Sequence, residues 1–333
     1  MPTMNDRFAG HTAGKYPDSW YATTAPLLPA FPSLQDEETA DVCVIGGGYT
    51  GLSTALHLKK KGYDVVLLEA ERVGWGASGR NGGHVGTGQR ADQASIEKWV
   101  GMEAAKGLWQ LGLDAVQKVC KLIDEYQIDC ELGSGNLHLA AKHSHAEELQ
   151  EELEHLESQY GYRQLSYLAP EAVAERTSAQ GFYGAVLDDG CRHLHPLKYA
   201  VGLARAAAEA GARIYEQSRA QPAPDGQSGE VKTTQGYVKA EHVVLGCNAY
   251  LGKLMPRLAG NIMPINNFVI ATEPLPSHLL PRINRDNLSM SDTLFVINYW
   301  KLSEDGRMLF GGGENYSSHF PRDIKAFVRP HML

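Results

Sequence analysis

The stretch Asp41–Ala70, DVCVIGGGYTGLSTALHLKKKGYDVVLLEA, constrains the fold more than any other part of the chain. Val42–Ile45 is a short continuous apolar run, as expected of a parallel strand covered on both faces. The chain must then turn sharply at Gly46-x-Gly48-x-x-Gly51. Gly46 permits the turn, Gly48 lets backbone approach a pyrophosphate, and Gly51 lets the next helix pack tightly on the strand. Leu52, Ala55 and Leu56 follow at i, i+3, i+4 and predict a buried helical stripe, while Lys59–Lys61 and Gly62 suit its C-terminal end. A second apolar strand ends at Glu69, 18 residues after Gly51, where a carboxylate can accept hydrogen bonds from ribose hydroxyls. A glycine turn alone is weak evidence. With its strand, helix, second strand and acidic terminus, this one predicts nucleotide binding on the free N–H groups of the helix.

That unit does not choose between NAD and FAD. The next segment bears on the choice. Arg72–Gly88, RVGWGASGRNGGHVGTG, has seven glycines in seventeen residues. A helix does not tolerate such a run, so a loop is expected. It is read either as a flexible surface loop or as a segment wrapping a large ligand, with Ser78, the backbone N–H groups of Gly79, Gly82 and Gly83, and the fixed cation Arg80 turned to it. Its place just after an acidic strand end favours the ligand.

At these residues the chain resembles the D-amino acid oxidase superfamily of FAD enzymes, most closely the gamma-glutamylputrescine oxidase branch. The likeness also covers KYPDSWYATT at Lys15–Thr24, LHPLKYAVGLARAA at Leu194–Ala207, HVVLGCNAYL at His242–Leu251 and MPINNFVIATEPL at Met263–Leu275. The resemblance implies an α/β fold, with a Rossmann-like FAD-binding domain and a second α+β substrate domain carrying a mostly antiparallel sheet. Gly46, Gly48, Gly51 and Glu69 are then expected to hold the ADP half of FAD. Ser78, Gly79, Arg80, Asn81, Gly82 and Gly83 are expected to cross its pyrophosphate and reach the isoalloxazine ring, with Gly246 and Asn248 in a small-residue turn beside it.

Four segments are expected: an N-terminal arm with the first βαβ unit (1–94), a mainly helical part of the substrate domain (95–190), a return to the FAD domain (191–252), and further substrate-domain strands (253–333). Within them, Ser95–Gln127 predicts one helical stretch whose apolar face includes Trp99 and Leu111, and Glu147–Tyr160 an acidic surface helix. His195-Pro196 starts another helix, and Pro222–Gly229 reads as a Pro/Gly-rich connection. Strands are expected at Cys130–Ala141, Ile265–Ala271, Leu294–Trp300 and Met308–Gly312.

Composition is that of an ordinary globular enzyme, 43% hydrophobic and 21% charged. A formal net charge of −8, with no basic stripe, argues against a nucleic-acid partner. Five scattered cysteines without a CxxC read as reduced thiols. The absence of a signal-like start and of a long apolar run argues against secretion or a membrane span, so a cytoplasmic protein without a metal is expected.

The resemblance implies oxidation of a small-molecule amine, gamma-glutamylputrescine first, with oxygen as the final acceptor. Sarcosine, glycine or another amino acid is the alternative substrate. His84 is the candidate base, or a ring that binds the flavin or a nearby carbonyl. Tyr299 is a second catalytic candidate, and Asn298 and Trp300 are candidate substrate contacts. Relatives continue past the position of Leu333 with a segment that returns to the flavin. This chain stops at Leu333, so a fragment, or a non-catalytic FAD-binding or interaction module, is a further expectation.

Overall fold

A computed structural model describes residues 12–222, 229–316 and 321–333. The first eleven residues of the arm and most of the Pro222–Gly229 connection lie outside the described residues. The first sheet is built from β1 (Glu37–Ile45), β2 (Val65–Leu68), β7 (Arg213–Tyr215), β8 (Glu230–Lys232) and β9 (Tyr237–Leu245), in the order β7-β2-β1-β9-β8. All its pairings are parallel except that of β8 with β9. Ile45 is in register with Leu68 on one side and Leu245 on the other, so β1 ends between two neighbours. In an open α/β sheet this divergence of connections leaves a crevice at the carboxyl ends of the strands.

Helix α2 (Tyr49–Lys60) follows β1 and buries Leu52, Ala55 and Leu56 completely. Between β2 and α7 (Pro196–Glu209) the chain forms β3 (His84–Val85), α3 (Gln93–Val100), α4 (Met102–Glu125), β4 (Gly133–Leu139), α5 (His143–Tyr160), β5 (Leu165–Leu168), α6 (Pro170–Arg176) and β6 (Ala185–His193). The run of alanines in α7, Ala200, Ala204, Ala206 and Ala207, is wholly buried, the last three in the same core as α2. The remaining strands are β10 (Asn266–Ala271), β11 (Ser289–Asp292), β12 (Tyr299–Leu302) and β13 (Met308–Asn315). They extend a second sheet in the order β10-β13-β12-β11-β4-β6-β3, with β5 also paired to β6. Of its pairings only β11 with β4 is parallel. Its core holds Leu137, Leu139, Phe268, Met290, Trp300, Phe310 and Val328, the last on the helix Ile324–Met332.

Several elements differ from the sequence expectation. Helical character over Ser95–Gln127 is split at Gly101, whose φ of +82° no ordinary helix residue adopts. The buried stripe of α4 runs through Ala105, Trp109, Gly112 and Val116, which leaves Leu111 60% exposed, and Trp99 on α3 is 71% exposed. The expected strand Leu294–Trp300 begins only at Tyr299. Asp292 is the reason: its Oδ1 accepts from the N–H groups of Leu294 and Asn298 and its Oδ2 from the Asn298 side chain, closing a turn.

The arm is ordered by specific contacts. It forms α1 (Trp20–Thr24), capped by Ser19, and meets His195 just before α7. His195 Nδ1 accepts from the Lys198 N–H at 3.1 Å, so in the neutral ring Nε2 carries the proton and donates to Thr24 Oγ1 at 3.0 Å. Burial pushes this imidazole down to about 3, and it drives His84 and His193 down to about 4. Below the ordinary histidine value of about 6.5 the unfolded chain takes up protons that the folded chain refuses, so stability falls with pH until the folded values are reached. His195→Asn keeps a capping side chain and removes one such group. Urea unfolding at pH 7 and pH 5 is expected to show the stability gap between the two pH values narrowed by about 2 kcal/mol in the variant. An unchanged gap would mean that His195 is not held neutral.

Candidate flavin site

Where β1 leaves the sheet, backbone approaches backbone with no room for side chains. Gly46 has φ +110°, and a Cβ there would lie 2.6 Å from the Gly246 carbonyl oxygen. A Cβ on Gly51 would lie 1.8 Å from the Gly46 carbonyl oxygen, which is how the first turn of α2 reaches the strand end. The Gly246 N–H donates to Ile45 O at 2.8 Å and locks the β9 end to the β1 end. A cavity of about 870 Å³ opens above this junction. It is lined by Gly46, Gly48, Glu69, Ser78, Gly246 and Asn248, six of the residues expected beside a cofactor, and its size is that of a ligand pocket.

Glu69 is partly buried at the end of β2. Its Oε2 accepts from the Gly47 N–H at 2.6 Å and its Oε1 from the Glu71 N–H at 2.8 Å. Burial raises its pKa, and these two hydrogen bonds oppose the rise. Glu69 lines the cavity, and each carboxylate oxygen retains a second lone pair, the chemistry a ribose diol needs. Ser78 lies at the start of α2, where its Oγ accepts from the Tyr49 N–H at 3.0 Å. Its own proton is left for an anion at the positive end of the helix. Gly48 leaves room for this hydroxyl, since a Cβ there would crowd the Ser78 Oγ at 2.8 Å.

The rest of the glycine-rich loop is held to both sheets. Asn81 Nδ2 donates to the Ala77 and Ser78 carbonyls, and its Oδ1 accepts from the Gly83 N–H. Its side chain therefore shapes the turn. Gly79 is buried, with its N–H on the Gly76 carbonyl. The Leu194 N–H donates to Gly83 O at 2.9 Å, and a Cβ on Gly83 would lie 1.9 Å from Leu194 O. That Leu194 oxygen also receives Lys301 Nζ at 2.8 Å, a lysine only 2% exposed whose pKa burial lowers to about 8. Arg80 stacks over the Trp75 ring at 4.8 Å and donates to the Tyr250 hydroxyl at 3.1 Å. Trp75 and Tyr250 both line the cavity and were not singled out from the sequence. Tyr250 follows Asn248 by two residues, but an exposed-looking tyrosine after a strand carries no signal of its own.

The catalytic and substrate candidates divide between two faces of β12. Tyr299 lies against Gly82, where a Cβ would come within 2.5 Å of its ring, and its edge meets His84 with centroids 5.6 Å apart. Its hydroxyl donates to Asn267 Oδ1, and burial raises the phenol to about 12. His84 sets Nδ1 3.2 Å from Gly82 O and Nε2 3.1 Å from Met290 O, so both ring nitrogens face backbone carbonyls. Trp300, the next residue on β12, turns to the opposite face, as does Asn298 in the preceding turn, whose Oδ1 faces Gly312 where the Tyr299 ring faces Gly311. Trp300 is stacked on Phe310 in the core at 5.9 Å, and Asn298 is bound to Asp292. None of these four residues lines the large cavity.

A glycine cradle at a helix start, a carboxylate at the second strand end and a hydroxyl at the helix N-terminus fit the pyrophosphate and ribose of FAD. The helix Tyr49–Lys60 and its neighbours are too short and polar to cross a membrane, and among the described residues no helix is long and apolar enough to do so. No group of three or more potential metal ligands occurs among them either.

Comparisons with known proteins agree with this geometry. The family model described as DAO, FAD dependent oxidoreductase, matches residues 41–332. Gamma-glutamylputrescine oxidoreductase of Escherichia coli (strain K12) is 38% identical over 320 residues, covering 96% of this chain and 75% of that protein. The probable oxidoreductase OrdL of Rhizobium meliloti (strain 1021) is 40% identical over 312 residues, covering 93% of this chain and 72% of that protein. Glycine oxidase from Geobacillus kaustophilus has the same fold, with a TM-score of 0.64 at 21% identity over 84% of this chain and 72% of its own. L-proline dehydrogenase from P. horikoshii gives a TM-score of 0.64 at 22% identity, over 89% and 75%. With the cradle, the acidic strand end and a family match over most of its length, the chain belongs to the DAO family of FAD-dependent oxidoreductases.

Proposed function

We propose that this protein oxidises an amine at the carbon beside nitrogen, with gamma-glutamylputrescine as the substrate. The observation that carries the reading is the 38% identity, over 96% of the chain, to a protein named for that substrate. FAD, when bound, supplies the two-electron acceptor for the α-C–H hydride, with oxygen as the final acceptor and hydrogen peroxide as its product. The oxidised amine, an imine, hydrolyses to an aldehyde and ammonia.

What this chain's residues contribute follows from their protonation and contacts. Gly46, Gly48, Gly51 and Ser78 would receive the pyrophosphate at the start of α2, and Glu69 the ribose. Arg80, Asn81, Gly82 and Gly83 shape the segment expected to reach the ring system, and Gly246 and Asn248 close the opposite wall. On the face of the second sheet turned toward Gly82, Tyr299 and Asn267 offer a phenol and an amide, and Glu314 is the register partner of Asn267. A carboxylate, an amide and a phenol suit an ammonium group and a γ-glutamyl amide. They do not supply the cation that a small amino acid's carboxylate would need, which favours the polyamine derivative over glycine or sarcosine.

Tyr299 is protonated at neutral pH and so acts as a hydrogen-bond partner. The neutral His84 ring has one N–H to share between the Gly82 and Met290 carbonyls, and neither nitrogen is turned outward as a base. His84→Asn is therefore expected to lower kcat/KM by less than about tenfold and to leave the midpoints of its pH profile in place, where loss of a general base costs about a hundredfold or more. A loss of that larger size, with the limb of the profile abolished, would make His84 the base.

Substrate choice is tested by anaerobic mixing of the flavin-loaded protein with each amine. Gamma-glutamylputrescine is expected to bleach the flavin absorption about a hundredfold faster than sarcosine or glycine, the discrimination available to a site that pairs buried polar groups. Equal or faster bleaching by either small amino acid would reverse the assignment.

A further inference from the structure

The loop that faces the cofactor crevice is buttoned from outside by the N-terminal arm, a segment that precedes the family-matched residues 41–332. Besides the Arg72 guanidinium, which donates to Leu28 O at 2.8 Å, three hydrogen bonds reach deeper into the loop. Tyr16 donates its hydroxyl to Val73 O at 2.8 Å, Trp75 donates its indole N–H to Lys15 O at 2.9 Å, and Tyr21 donates its hydroxyl to Asn81 O at 2.7 Å. The same arm is fixed elsewhere as well: the Trp20 indole reaches Asp305 in the β12–β13 turn at 3.2 Å, Thr24 meets His195, and the Phe31 N–H donates to Glu216. Tyr21 is the inner contact. It is 5% exposed, and its ring lies edge-on to Trp20 and His195 with centroids 5.4 and 5.0 Å away.

What Tyr21 grips is the residue that organises the turn. Asn81 already binds Ala77 O, Ser78 O and the Gly83 N–H through its side chain, and its own carbonyl is the group left for Tyr21. Ser78, one turn back, carries the hydroxyl that meets the Tyr49 N–H at the start of α2. We propose that Tyr21 is a positioning residue for the cofactor loop: its hydrogen bond to the Asn81 carbonyl holds the 77–83 turn in the shape that brings Ser78 to the α2 N-terminus, with the arm as the strap. The proposal rests on the reading of this crevice as the FAD site.

Tyr21→Phe removes the hydroxyl and keeps the packed ring. Loss of one buried hydrogen bond that orders the loop is expected to raise the FAD dissociation constant about tenfold and to alter the visible circular dichroism of the bound flavin. In the apoprotein, trypsin is expected to cut after Arg80 several-fold faster than in the wild type. Tyr162→Phe is the control, since it deletes an equally buried hydroxyl, bound to Asp188 at 2.6 Å, whose one link to the loop is at Thr87, outside the 77–83 turn. It is expected to lower thermal stability while leaving FAD affinity, the flavin spectrum and cleavage at Arg80 as in the wild type. Tyr16→Phe, at the outer button, is expected to shift the same readouts in the same direction by a smaller factor, and it serves if Tyr21→Phe does not fold. Wild-type FAD affinity and wild-type cleavage in Tyr21→Phe and Tyr16→Phe would overturn the proposal, as would equal shifts in Tyr162→Phe. Failure of the wild type to bind FAD would instead refute the site, and the apoprotein cleavage would still report on the strap.

Discussion

The close crossing of three glycine backbones is what the rest of the molecule depends on. Gly51 lies where a Cβ would be 1.8 Å from the Gly46 oxygen, and Gly46 where one would be 2.6 Å from the Gly246 oxygen. Because no side chain stands between them, α2 can start directly on the end of β1, which sets the positive end of the helix beside the crevice. The same approach lets β9 lie on the other side of β1, so the crevice acquires a second wall from Gly246 and Asn248. Fully buried Val44, Leu52 and Leu56 then support this junction from below, where burial of each side chain contributes roughly 1.5–3 kcal/mol.

Between the two sheets runs a polar seam whose histidines carry no charge. His84, His193 and His195 are all held neutral by burial, and the nearby cation, Lys301, is brought down to about 8 and bound to Leu194 O. Buried polar groups of this kind are stable only when hydrogen-bonded, and here their partners are largely backbone carbonyls of the segments that must be placed: Leu194, Asn287 and one of the two carbonyls, Gly82 and Met290, that His84 faces. The seam thus transfers the rigidity of β11, β12 and β6 to the glycine-rich loop. A loop with seven glycines has a large conformational entropy to lose, and these anchors together with Asn81 confine it.

Much of this was legible before any coordinates. The first βαβ unit declares itself because each of its parts is local: an apolar run, a glycine spacing, a helical stripe and a terminal acid within thirty residues. His195 was readable as a helix start, since it precedes proline. Contacts between distant segments carried no such mark. Nothing in the composition of Asn298-Tyr299-Trp300 says which face of β12 looks to the loop; only the Asp292 turn and the stacking of Trp300 on Phe310 decide it. Trp99 and Leu111 fit a helical period, yet the stripe that α4 buries passes beside Leu111, and Gly101 breaks the register between the helices. The places of Trp75, Tyr250 and Tyr21 follow from partners 60 to 170 residues away, beyond the reach of periodicity.

The central claim is that the cofactor's phosphates approach the α2 N-terminus across Gly48. Gly48→Ala tests it directly, because the backbone, at φ −86°, accepts alanine, while a Cβ there would stand in the phosphates' approach and crowd the Ser78 hydroxyl, 2.8 Å away, that the account assigns to them. The measurement is the FAD dissociation constant, by equilibrium dialysis with absorbance detection, of wild type and variant at matched helix content and melting temperature. One FAD bound per wild-type chain, and affinity at least about a hundredfold weaker in the variant through lost phosphate contacts, is the predicted result. A Gly48→Ala protein that binds FAD as tightly as the wild type would place the cofactor elsewhere and contradict the account.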